Sequence, residues 1–196
     1  MIRLSWAIVL AGLLLITACE STRKIKEDIK QDATSRSIGS VRLHSAKELK
    51  EAYDKNAGDP DEVLLLFMNA LLLIEENKDE GYAAGAYMSR SNDQWKDPEG
   101  PTGVKPSQAA SEGFNRMRDN PTYARSYAGG EPTDYKLTEP EKIVLEIKET
   151  RENSDTETKF FIWSSGKDSA SPVTLRLANG KWYVDEWSSL QTGVRK

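Results

Sequence analysis

From Val63 to Ile74 every residue but Asn69 is apolar, and this stretch limits the available folds more than any other in the body of the chain. Asp59, Pro60 and Glu62 stand before it as an N-cap, a first-turn proline and the acid of a capping box, so the run reads as a helix. A helix that is apolar all round must be covered all round. The run is also well short of the roughly 20 residues that a bilayer-spanning helix needs. It is therefore expected as the central core helix, with the remaining elements packed around it.

Other helix starts are marked in the same way. Ser45 with Glu48 opens a helix to about Asn56, carrying Leu49, Ala52 and Tyr53 on one face and closed by Gly58. Asn77 with Glu80 opens another from about Lys78 to Met88, in which Ala83, Ala84, Gly85 and Ala86 permit close packing on the core helix. Residues 91–106 hold three prolines and two glycines and read as a long surface loop or lid. Ser107 caps a fourth helix bearing Ala110, Phe114 and Met117, which stops at Asn120 before Pro121.

Beyond Gly129 and Gly130 the apolar period changes to two. Ile143, Leu145 and Ile147 alternate with mostly polar neighbours; the stretch from Lys159 to Trp163 follows; then Val173, Leu175 and Leu177 alternate again. Asn179 and Gly180 predict a type I′ turn into Trp182–Trp187. That turn sets Leu177 opposite Trp182, Arg176 opposite Tyr183, Leu175 opposite Val184 and Val173 opposite Glu186. The expected fold class is α+β, with about four N-terminal helices packed on one face of a C-terminal antiparallel sheet of about four strands.

The N-terminus carries a different signal. Arg3 precedes an apolar segment, Leu4 to Ile16, of signal-peptide size, and the segment ends in Leu15-Ile16-Thr17-Ala18-Cys19. This ending resembles the lipobox of a bacterial lipoprotein precursor. The resemblance implies that residues 1–18 are a signal peptide, that the Cys19 thiol becomes a diacylglycerol thioether, and that the protein is exported and held at a membrane by covalent lipid. Glu20, rather than an aspartate, favours the outer membrane where a cell has two. Residues 19–40 read as the lipidated cysteine and a polar tether, since Ile25, Ile29 and Ile38 are isolated among charged and polar neighbours. Residues 41–196 are expected to form a single α+β domain, and no apolar run beyond Cys19 is long enough to span a bilayer.

A second resemblance lies in the body. Ala124 to Tyr135, Ser164 to Ser169 with Pro172, and Gly180 to Leu190, together with Asp59 to Ala70 more faintly, are similar to a bacterial domain family of unknown function found in exported proteins. The likeness covers roughly residues 45–195. Members often carry a basic residue where this chain has Ser171, and the family implies no activity. A weaker likeness is to cone-shaped pocket folds of the nuclear-transport-factor-2 type.

The chemistry the sequence offers is sparse. A formal net charge of −4 gives no basic excess for nucleic acid. Cys19 is the only cysteine and His44 the only histidine, which leaves little for disulfides, metal sites or a Ser-His-Asp triad. No cofactor and no metal are expected. Ser164 to Lys167 matches Ser-x-x-Lys but falls at a strand end, where serine-lysine enzymes use a helix start. Gly166-Lys167 is followed by Asp168 where a phosphate loop needs Ser or Thr. The aromatic and basic residues Arg176, Tyr183 and Trp187 are expected on one outer face of the last hairpin and form the candidate binding face, since arginine and aromatic side chains favour interface centres. The expectation is a lipid-anchored cell-envelope protein whose domain binds or scaffolds an envelope protein or glycan without catalysis. A hydrolase of cell-wall or polysaccharide material and a pocket protein for a small apolar ligand are the alternatives.

Overall fold

A computed structural model of the chain describes residues 35–195. The lipobox, Cys19 and most of the expected tether lie outside the described residues. Among the described residues there are five α-helices: α1 (Ala46–Asn56), α2 (Pro60–Glu76), α3 (Lys78–Tyr87), α4 (Gln108–Asp119) and α5 (Thr122–Tyr127). The first four begin where their caps predict. Ser45, Asp59, Asn77 and Ser107 each accept a backbone N–H of the first turn, from Glu48, Asp61, Glu80 and Ala110. The short α5 follows Pro121 without a side-chain cap, so no local signal announced it.

All residues of α2 from Val63 to Ile74 are at most 5 % exposed. Each large side chain among them contributes about 1.5–3 kcal/mol by leaving water. Asn69, fully buried, is the exception that explains itself. With its amide oriented to satisfy both groups, it donates to the Leu43 carbonyl at 3.2 Å and accepts the Leu43 N–H at 3.0 Å. The core helix thereby holds the backbone of the segment leading into α1. On the other side α3 closes onto α2 through Gly81, where a β-carbon would stand 2.5 Å from the Ile74 nitrogen.

The strands are β1 (Arg36–Val41), β2 (Gln94–Lys96), β3 (Val104–Pro106), β4 (Lys142–Ser154), β5 (Glu157–Ile162), β6 (Ser171–Ala178) and β7 (Lys181–Glu186). A five-stranded antiparallel sheet runs β1-β4-β5-β6-β7, and β2 pairs with β3. Ile143, Leu145, Ile147, Phe160, Ile162, Val173, Leu175 and Val184 form its buried face. Helix α2 meets β1, β4 and β7, so it reaches from one edge strand to the other beneath a curled sheet. The β7 edge is not left open: its Trp182 and Val184 N–H groups donate to Ala57 and Met88, and Arg90 donates to the Val184 carbonyl. Covering an edge in this way removes a site for unwanted strand pairing.

Three expectations need correction. The main sheet has five strands, not four, because the end of the stretch read as tether supplies all of β1 but Val41. Only Ile38 and Ser40 turn partly inward there, opposite Leu145 and Ile143, and the strand is held by its backbone ladder to β4. Residues 91–106 are not a free loop but the β2–β3 hairpin, fastened to α3 where Thr102 Oγ1 donates to the Ala83 carbonyl at 3.1 Å. The predicted pairing in the last hairpin holds from Leu177 to Leu175, but a register shift then places Thr174, not Val173, opposite Glu186.

Candidate functional site

Arg176 and Tyr183 face each other across β6 and β7 as expected. The Arg176 guanidinium, however, turns to carboxylates, with Glu157 at 2.7 Å and Asp185 at 2.8 Å. Trp187 leaves that face. Beyond the register shift its indole turns inward, edge-on to Phe67 at 5.2 Å and tilted against Phe114 at 5.0 Å. The structure thus brings together two of the three candidate residues and gives the third a packing role as well.

Beside Trp187 a cleft of about 260 Å³ runs between α4 and the end of β7. At Gly113 the helix packs closely on the wall of the cleft, since a β-carbon there would stand 2.6 Å from the Gln191 amide and 3.0 Å from the indole. Arg90 bridges Asp93 at 2.7 Å and Asp185 at 3.4 Å, and Asp185 also holds Arg176, which gives a line of alternating charge leading from the hairpin to the cleft. A hydrogen bond from Ser188 keeps the Glu186 carboxyl below its usual range, against the opposing effect of its partial burial. Arg116, Trp187 and Gln191 complete the wall. Such a set has the chemistry to meet polar, hydroxyl-rich or zwitterionic groups, and its one hydroxyl beside a carboxylate is Ser188 next to Glu186. Sequence reasoning missed Arg90, Asp93, Arg116 and Gln191, and the one available hint was a glycine inside the α4 pattern.

The Ser-x-x-Lys pair is not a pair. Ser164 donates to Ser126 Oγ at 2.8 Å. Lys167 Nζ instead donates to Ser171 Oγ at 2.7 Å, the Ser189 carbonyl at 2.9 Å and the Tyr127 hydroxyl at 3.2 Å. Burial pushes the lysine pKa down and the Tyr127 phenol up to about 12. An amine beside a hydroxyl can in principle activate it, but Ser171 is only 2 % exposed. The lysine ties the β5–β6 loop to the C-terminal segment.

His44 bridges Glu76 at Nδ1 and Glu141 at Nε2, both 3.1 Å away. The bond to Glu76 and then that to Glu141 raise the imidazole pKa above 6.5. For Glu76, burial is the largest single influence and acts upward, but His44 and Arg42 together bring the carboxyl below 4.5. A raised histidine pKa stabilises the fold fully below the unfolded value, and this is lost as pH rises through the folded one. The lowered Glu76 value acts in the opposite sense, with its stabilisation lost as pH falls. Both charges are present between about pH 4.5 and 6.5. The melting temperature of wild type over His44→Gln should therefore be highest in that window and shrink toward pH 8. A difference that is flat from pH 5 to 8 would show that the bridge contributes nothing.

Among the described residues, no group of three or more His, Cys, Asp or Glu side chains could hold a metal ion. No helix there is long and apolar enough to cross a membrane. No curated protein and no solved structure matches the chain. A family model described as a domain of unknown function matches residues 44–196, a stretch that holds all five helices and every strand but β1, and the chain belongs to that family, DUF6935.

Proposed function

We propose that this is a lipid-anchored protein of the bacterial cell envelope whose domain binds an envelope protein or glycan without catalysis. The observation that carries the reading is the run Leu15-Ile16-Thr17-Ala18-Cys19 behind a short basic and apolar leader. Two or three acyl chains at Cys19 give lasting attachment, because each buried methylene contributes about 0.8 kcal/mol. The composition of the cleft beside Trp187 supports the binding role. It mixes arginines, carboxylates, an indole and an amide. Glu20 favours the outer membrane as the destination.

Expression in a bacterium supplied with labelled palmitate tests the anchor. The wild type should take up label and fractionate with membranes, and Cys19→Ala should take up none, because the chain has no second thiol. Label retained by the variant, or absent from the wild type, would overturn the reading.

A further inference from the structure

A second cleft, of about 480 Å³, lies where the C-terminal end of α2, helix α5 and residues 136–140 come together. Arg42 lies in its wall with a side chain only 6 % exposed. A guanidinium carries five N–H donors, yet this one makes a single hydrogen bond among the described residues, a long 3.4 Å contact from Nη1 to the Pro140 carbonyl. Nη2 stands 2.7 Å from Glu76 without hydrogen-bond alignment, and Nε has no partner. Buried donors left unmet are costly, and native structures seldom keep them without a reason. Glu76 cannot meet the need alone, since its other oxygen is engaged by His44.

Two further cations share the wall. Arg125 is held by both oxygens of Glu75, and Lys136, 82 % exposed, stands at the rim. Each of the three cations has a carboxylate beside it, since Asp134, just outside the lining, stands 3.2 Å from Lys136, but the Arg42 donors stay unmet. Leu72, Leu137 and Pro140 supply an apolar side.

We infer that this cleft binds a phosphate monoester, with the phosphate among Arg42, Arg125 and Lys136 and the organic part against Leu72, Leu137 and Pro140. Phosphate suits this lining because its oxygens accept from several donors at once and guanidinium forks match their geometry. Glu75 and Glu76 hold the two arginines in place when the cleft is empty and release part of their donors when it is filled. The inference stands apart from the lipid anchor. The phosphate belongs to a soluble ester or to a lipid headgroup, and the two sources can be told apart.

The test is calorimetric titration of the full chain in detergent with glycerol 3-phosphate, and separately with phosphatidic acid in mixed micelles, with sodium chloride at matched ionic strength as control. Saturable binding of the soluble probe assigns the site to a soluble ester, and binding of the micellar probe alone assigns it to a headgroup. In either case Arg125→Gln should weaken binding about tenfold and Lys136→Gln about threefold. Lys136→Gln should keep the wild-type melting temperature, so the test survives if loss of the Arg125 ion pair unfolds the domain. Saturation of neither probe by about 10 mM, or binding equal in wild type and both variants, overturns the inference.

Discussion

Leu71→Asp should leave the domain unfolded at 25 °C. Leu71 is 2 % exposed on the face of α2 that the other elements close over. The substitution removes its apolar contacts and puts a carboxylate among the hydrocarbon of the core. The combined loss is about 5 kcal/mol or more, comparable with the whole stability of an ordinary domain. No disulfide can hold the chain, since Cys19 has no partner thiol. Near-ultraviolet circular dichroism and a urea titration should show loss of cooperative unfolding, whereas Val144→Asp, at a position 46 % exposed on the outer sheet face, should shift the midpoint little. A cooperative Leu71→Asp transition near the wild-type midpoint would mean that α2 is not the core.

Gly81→Ala should destabilise by about 2–4 kcal/mol, even though alanine by itself is about 1 kcal/mol better than glycine inside a helix. The added carbon would stand 2.5 Å from the Ile74 nitrogen and 2.7 Å from its Cα. Backbone atoms cannot turn aside as the end of a side chain can, so α3 must move away from α2. Gly58→Ala, with nothing within 4 Å of the new carbon, is the matched control and should change the melting temperature by less than a few degrees. Equal effects of the two substitutions would show that the α2–α3 contact is looser than described.

What could be read in the sequence follows the range of the interactions involved. Ser45, Asp59, Asn77 and Ser107 were legible because a cap acts on a backbone group two or three residues away. Asn179 and Gly180, both at positive φ, set the β6–β7 register down to Leu175. The shift at Thr174 has no local mark, and with it went the position of Trp187. β1 was hidden for the same reason: Arg36–Val41 has little apolar pattern, and its outermost residue, Val41, is 68 % exposed. What makes it a strand is β4, a hundred residues away. The clefts were still less accessible to sequence reasoning. Arg42, Glu76 and Arg125 lie far apart in the chain, and only the packing of α2 against its neighbours brings them together.

The position of β1 also decides how the domain carries load. It is the first strand of the described fold and an edge of the sheet, joined along its length to β4 by six residue pairs. Any tension entering from the N-terminal side therefore reaches the fold at Arg36. Drawn along the strand, such tension shears the β1–β4 ladder as a set, and the rungs resist together. Drawn across it, the same tension opens them one after another, and each rung resists alone. The ion pair between Arg36 and Asp61 fastens the loaded end of the strand to the start of α2, so that the first point to feel a pull is braced against the central helix.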